Sequence, residues 1–150
     1  MTTSPASSKL NLIAKLIIPL ALLGLADASF LTFKHFWGGP LPCSILNGCD
    51  TVVNSTYATW LGVPVALVGA LFYLVFLILA VWYLDSGQEQ IFDFILVLAV
   101  IGFGVSIYFV SLQIFVLKAL CLYCLVSAGT TTALFSLSLW ARFNLSSLRA

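Results

Sequence analysis

The stretch FILVLAVIGFGVSIYFVSLQIFVL, residues 94–117, runs for 24 residues without a charged side chain. As a helix it would be about 36 Å long, which exceeds the roughly 30 Å hydrocarbon core of a bilayer. The whole chain is 62% hydrophobic and 7% charged, whereas soluble domains are roughly 25% charged. The sequence therefore predicts an integral membrane protein.

Three further apolar runs have the length of membrane-spanning helices, and they cover about residues 12–33, 62–84 and 119–141. The first run is too long for the apolar region of a signal peptide and ends without a small-residue cleavage site, so we expect it to be retained. Pro64 stands near the start of the second predicted helix, where proline is tolerated. The pattern predicts an all-α membrane protein, a four-transmembrane-helix bundle.

The polar segments indicate a single domain with a short tail at each end. Residues 34–61 are rich in Pro, Gly and hydroxyl side chains and form one long loop, whereas residues 85–90 make a tight connection. We expect a four-helix membrane domain over residues 12–141, with tails at residues 1–11 and 142–150.

The distribution of Lys and Arg predicts the orientation in the membrane. Four of these residues lie at the ends nearest the termini and two lie near the opposite ends: Lys9, Lys15, Arg142 and Arg149 against Lys34 and Lys118. Because positive charge favours the cytoplasmic side, both tails are predicted to be cytoplasmic and the 34–61 loop exoplasmic, in the cell inner (plasma) membrane. The net charge of +1 and the scattered cations provide no basic face for nucleic acid.

The four cysteines form two close pairs on the predicted exoplasmic side. Cys43 and Cys49, the outer pair, lie in the long loop, and Cys121 and Cys124, the inner pair, lie at the start of the last apolar run. Disulfides persist on that side of the membrane. A helix N-terminus and nearby Lys118 favour a thiolate at the inner pair, and thiol–disulfide exchange requires one. The pairs predict thiol–disulfide chemistry at a membrane surface.

Three other interpretations of the cysteines stay open at this stage. Cysteine packs as a small hydrophobe, a pair can be a structural disulfide, and four cysteines can bind zinc. Zinc is disfavoured because five residues separate Cys43 from Cys49 and because the exoplasmic side is oxidising, so we expect no metal. A structural membrane protein with stabilising disulfides remains the main alternative to an enzyme.

Five segments, in their order along the chain, carry a resemblance to a known family. These are GLADASFLT at residues 24–32, His35, the C-x5-C pair of Cys43 and Cys49, NSTYATWLGVP at residues 54–64 and CLYC at residues 121–124. Together they resemble the bacterial branch of the vitamin K epoxide reductase homologues over roughly residues 12–141. A second bacterial type of quinone-linked thiol oxidase also has four helices and two cysteine pairs, but its pairs come in the reverse order, so it is an alternative only.

The resemblance implies a four-helix bundle around a quinone, ubiquinone or menaquinone, with the loop forming a short helix and a cap. Electrons would come from a reduced thioredoxin-like partner that attacks the outer disulfide at Cys43. Cys49 would then attack Cys121, and Cys124 would pass the electrons to the quinone. The net result would be disulfide formation in exported proteins. Since 150 residues leave no space for a fused thioredoxin-like domain, we expect the partner to be a separate protein.

The resemblance also implies further site residues. Ser55 matches a serine of the family's loop helix, with a role in the mobile loop or in active-site hydrogen bonding, although a helix cap is an equal interpretation. Tyr57 and Phe72 are expected to line the quinone site. Vertebrate members carry an asparagine and a tyrosine, both hydrogen-bonding the substrate, where this chain has Val65 and Ala128. Neither of these side chains can donate a hydrogen bond, so we expect a quinone rather than vitamin K epoxide as the substrate.

Two ionisable residues have open roles. Asp27 lies inside the first apolar run, where a charged group is costly, and it could handle protons for the quinone or pair with Lys34 or His35. His35 is the only histidine of the chain, and general-base catalysis is one possible role for it.

Overall fold

The structure is a computed structural model and describes residues 5–39 and 48–149 of the chain, with side chains for residues 8–39 and 48–145. The described part contains five α-helices, of which four are long. These are α1 (Pro5–Trp37), α2 (Cys49–Val53), α3 (Val65–Ser86), α4 (Gln90–Ser111) and α5 (Leu122–Arg149). The chain of α4 continues as a π-helical segment, Leu112–Leu117.

Four helical segments are long and apolar enough to cross a membrane, which confirms the predicted all-α four-helix membrane bundle. They are Ser8–Trp37, Val65–Ser86, Gln90–Leu117 and Leu122–Leu145. Between α2 and α3 lie a 3₁₀ turn, Thr56–Ala58, and an antiparallel pair of two-residue strands, β1 (Thr59–Trp60) and β2 (Val63–Pro64).

The helices extend beyond the limits that hydropathy predicted. α1 begins at Pro5 and ends at Trp37, and α5 continues to Arg149, because helical hydrogen bonding continues through polar residues that lie outside the hydrocarbon layer. Residues 34–37, expected in the long loop, are therefore helical. α3 begins at Val65, since the preceding residues form β2 and Pro64 stands directly before the helix.

Small side chains bring the four long helices together. Ala21, Ala80, Ala99 and Ala141, one from each long helix, are completely buried, and small residues let membrane helices approach closely. Larger buried side chains fill the core around them, among them Ile13, Phe76, Phe92 and Leu134. Many other apolar side chains face outward, as lipid contact requires.

The short helix α2 covers one end of the bundle. Val52 of α2 is buried in a second cluster together with Leu31 of α1. Trp37 and Trp60 are 74% and 75% exposed at this end, which fits the aromatic belt of a membrane interface.

Candidate functional site

Cys121 of the inner pair is the residue directly before α5. The Cys121 carbonyl accepts the first bond of the helix, from the Leu125 amide at 3.0 Å, and the Cys121 Sγ accepts from the Cys124 amide at 3.4 Å. Cys121 therefore occupies the N-cap position with sulfur in place of the usual oxygen. A hydrogen bond from the Cys124 side chain lowers the pKa of the Cys121 thiol from its ordinary value and outweighs burial, which raises it. Cys121 and Cys124 are both free thiols.

Gln113 fixes the approach to this N-cap, and the sequence alone did not predict it. Its side-chain Oε1 accepts from the Cys121 amide at 2.8 Å, and its carbonyl accepts from the Ala119 amide at 3.1 Å. Lys118 takes a left-handed conformation, with φ of 49°, so the chain turns back toward the π-helical end of α4. Gln113 is 2% exposed; a single amide side chain in an apolar run, eight residues before Cys121, was the available signal.

Cys49 of the outer pair is buried near the inner pair. It begins α2, is disulfide-bonded and is 1% exposed, and it shares one buried cluster with the fully buried Cys121. Cys43 lies outside the described residues. The structure thus brings Cys49 of the loop and Cys121 of the bundle into a single apolar cluster.

Gly48 explains how α2 lies so close to the start of α5. A β-carbon at this position would stand 2.7 Å from both the backbone nitrogen and the carbonyl oxygen of Leu120, and 3.0 Å from the Ala119 β-carbon. Backbone atoms cannot rotate away as a side chain can. Only glycine allows α2 to contact residues 119–120 at this distance.

A cavity of about 290 Å³ opens beside the inner pair and is lined by residues from all four long helices. Of the three described cysteines, Cys124 lines this cavity, whereas Cys49 and Cys121 do not. All five of the other site residues expected from the sequence also line it: Ser55, Tyr57, Val65, Phe72 and Ala128. The Ser55 hydroxyl donates to the Val52 carbonyl at 2.7 Å and so closes the end of α2.

A protein-family model also matches most of this chain. The model described as the vitamin K epoxide reductase family matches residues 15–139. The chain belongs to the vitamin K epoxide reductase family. Members of this family are in general membrane oxidoreductases that link thiols to a quinone and work with a thioredoxin-like partner.

The cavity of this vitamin K epoxide reductase family member suits a quinone ring. Ligand pockets are mostly apolar, with a few placed polar groups, and this one has the aromatic ring of Phe72 and the aliphatic Val65 in its wall beside the Cys124 thiol. A buried carboxylate oxygen, Asp27 Oδ2, has no hydrogen-bond partner within the described residues and belongs to a residue of the same wall. When this carboxyl group carries its proton, it can donate a hydrogen bond to a quinone carbonyl.

A hydroxyl cluster at the α3–α5 contact lines the same cavity and was also missed from the sequence. The Tyr73 hydroxyl lies 2.8 Å from the carbonyl and 2.8 Å from the hydroxyl of Ser127, and 2.9 Å from the Thr131 hydroxyl. Gly24 of α1 makes room for the Tyr73 ring, because a β-carbon there would overlap it. These partners are more than 50 residues apart in sequence, so no local pattern indicated them.

His35 lies at the end of the cavity near α2. It lines both this cavity and a second, polar pocket of about 270 Å³, which it shares with residues of α1 and α2. Within the described residues, no group of three or more His, Cys, Asp or Glu side chains could hold a metal ion.

Proposed function

We propose that the protein is a quinone-dependent, disulfide-generating thiol oxidoreductase. It takes electrons from a reduced, separate thioredoxin-like partner, first through Cys43 and Cys49 and then through Cys121 and Cys124, and it delivers them to ubiquinone or menaquinone. This activity supports disulfide formation in exported proteins. The charge distribution favours an exoplasmic active site, with both termini cytoplasmic in the inner membrane.

The positions of the cysteines relative to the buried cluster and the cavity are the single observation that carries the proposal. Cys49 and Cys121 share one buried cluster. Cys124, whose backbone amide donates a hydrogen bond to the Cys121 sulfur, lines the cavity. Electrons that enter the loop pair therefore have a path through one buried cluster, and the last cysteine of that path lines the cavity where an acceptor fits.

The exchange steps balance through the four sulfurs. A partner thiolate attacks Cys43, the outer disulfide breaks and Cys49 leaves as a thiolate; the second partner thiol then forms the partner's disulfide and releases Cys43. Cys49 attacks Cys121, which breaks the Cys121–Cys124 bond and frees Cys124. Cys43 next attacks Cys49, re-forms the outer disulfide and releases Cys121. The inner dithiol has gained the two electrons and two protons that the partner lost.

The Cys121 environment favours the release step. Thiolates with a lower pKa leave faster in thiol–disulfide exchange, and the hydrogen bond from the Cys124 side chain lowers the pKa of Cys121. The proposed cycle includes a stage with an oxidised outer pair and a reduced inner pair; here Cys49 is disulfide-bonded and both inner cysteines are thiols. Oxidation of Cys121 and Cys124 to their disulfide would supply a quinone held in the cavity with the two electrons and two protons that make it a hydroquinone.

The cavity wall favours a quinone over vitamin K epoxide. Val65 and Ala128, which stand where vertebrate members carry hydrogen-bonding side chains, both line the cavity and offer it only alkyl groups. Ser55, Tyr57 and Phe72 complete the proposed binding wall, with Ser55 holding the end of α2 in place.

The proposal is tested with purified protein in detergent, a reduced thioredoxin-like protein and a short-chain quinone, by measuring hydroquinone formation. Wild type should turn over, and Cys124→Ala should lose turnover while still forming a mixed disulfide with the partner through Cys43. Ser136→Ala, a lipid-facing change on the same helix, is the matched control and should retain turnover.

Two results would contradict the proposal. Full turnover in Cys124→Ala would show that the electrons do not pass through the inner pair. A wild-type protein that keeps its disulfides under mild reductant and reduces no quinone would be a structural membrane protein.

A further inference from the structure

Asp27 is an acid within a membrane-spanning helix, and the cysteine relay does not use it. It lies in α1 and lines the cavity, and its Oδ2 atom is buried without a hydrogen-bond partner in the described part of the chain. Ionisable side chains within a membrane span are costly and mark functional sites. An acid in this position therefore requires an explanation.

The packing of α1 against α3 sets where Asp27 lies. Gly24, one helical turn before it, allows close contact with the Tyr73 ring, and residues three apart share a helix face. Asp27 lines the same cavity as the Tyr73 ring and Cys124 of the inner pair.

Four polar side chains of the same cavity wall already have partners. Tyr73, Ser127 and Thr131 bond to one another, and the Gln113 Oε1 accepts from the Cys121 amide. Asp27 Oδ2 has no such bond. Within residues 8–39 and 48–145 no cation forms an ion pair with this carboxyl group, and a carboxyl in apolar surroundings without such a partner is more stable with its proton, which it can donate.

The geometry points to Asp27 as the catalytic acid of the acceptor site: it donates a hydrogen bond to a carbonyl oxygen of the quinone and supplies that oxygen with its proton. This inference rests on the function proposed above. It gives Asp27 the donor role that Val65 and Ala128 cannot fill, but from α1 rather than from α3 or α5.

The proton balance closes with the groups at the site. When Cys121 and Cys124 form their disulfide, two electrons and two thiol protons leave the sulfurs, and the quinone takes up both electrons. Asp27 gives its proton to one carbonyl oxygen and regains one from the Cys124 thiol, while the Cys121 proton goes to the other oxygen. The carboxyl group ends each cycle unchanged.

The test separates the two halves of the reaction in the same preparation of Asp27→Asn, which keeps the shape of the side chain but removes its acidity. The first half mixes oxidised protein with reduced partner, without quinone, and follows reduction of Cys121 and Cys124 by rapid quenching and alkylation. The second half mixes pre-reduced protein with a short-chain quinone and follows a single turnover. Asp93→Asn is the matched control, an acid-to-amide change in α4 at an exposed ion pair with Arg142, away from the cavity.

We expect Asp27→Asn to leave the first half at the wild-type rate and to slow the second half about 100-fold, the usual contribution of a general acid. Asp27→Glu should recover part of that rate, and Asp93→Asn should match wild type in both halves. If Asp27→Asn does not accumulate as folded protein, Asp27→Leu, which suits a membrane helix, carries the same expectation.

Two results would overturn the assignment of Asp27. One is quinone reduction at the wild-type rate in the variant, and the other is an equal slowing of both halves, which would indicate a structural role. A wild-type protein that reduces no quinone in the second half would instead refute the proposed function itself.

Discussion

Replacing Gly48 by alanine should separate the two cysteine pairs without touching a sulfur. The new β-carbon would lie 2.7 Å from the backbone nitrogen and oxygen of Leu120, and ordinary contact begins at 3.4 Å. Since neither backbone atom can rotate away, α2 must move by about 0.7 Å relative to Leu120. A displacement of about 1 Å between reacting groups costs on the order of 100-fold in rate, so Cys49–Cys121 exchange should slow by roughly 10- to 100-fold.

The assay isolates the contact between Cys49 and Cys121. In a Cys43→Ser, Cys124→Ser background these two are the remaining cysteines, and the rate of their disulfide formation is measured under a fixed oxidant by quenching and gel mobility. Gly104→Ala is the matched control, because a β-carbon at Gly104 meets nothing within 4 Å. Crosslinking in Gly48→Ala at the rate of the parent, or equal slowing in Gly104→Ala, would refute the reasoning.

Three further predictions follow from the inner pair and the α1–α3 contact. Gln113→Leu leaves the buried Cys121 amide without its acceptor and should lower the free energy of unfolding by about 1–3 kcal/mol, measured by denaturation in detergent; an unchanged value would argue against the bond. Cys124→Ala removes the side-chain hydrogen bond that lowers the pKa of Cys121, so the pKa of Cys121 should rise. The Cys121 thiolate should then form only at higher pH than in wild type, and the midpoint of the pH profile of Cys121 alkylation should shift to higher pH. Gly24→Ala places a β-carbon inside the Tyr73 ring and should destabilise the protein by about 1–3 kcal/mol, with wild-type thermal stability as the contradicting result.

Hydropathy and cysteine spacing predicted much of this molecule because both depend on local composition. The charge-free run over residues 94–117 corresponds to one membrane span, Gln90–Leu117, and the resemblance named the family that the match over residues 15–139 shows. Helices α1 and α5 extend beyond the apolar runs that predicted them, since apolar content marks the hydrocarbon layer and not the end of a helix.

The contacts that organise the site were beyond reach of the sequence because they depend on tertiary structure. The Gln113 bond to Cys121 requires the π-helical end of α4 and the left-handed Lys118, and no periodicity indicates either. The Tyr73 hydroxyl meets Ser127 across 54 residues. The sequence did single out Asp27, but its unpartnered Oδ2 atom became visible only with the cavity around it.

The most direct test of the relay asks whether the inner pair alone reduces a quinone. A protein with Cys43→Ala and Cys49→Ala is reduced with dithiothreitol, freed of reductant and mixed with excess short-chain quinone. The amounts of hydroquinone and of the Cys121–Cys124 disulfide are then measured in the same sample. We predict one hydroquinone and one disulfide per protein molecule. A protein that also carries the Cys124→Ala substitution should form neither. Hydroquinone formation that persists in the Cys124→Ala protein, or an inner dithiol that stays reduced in the presence of quinone, would contradict the account.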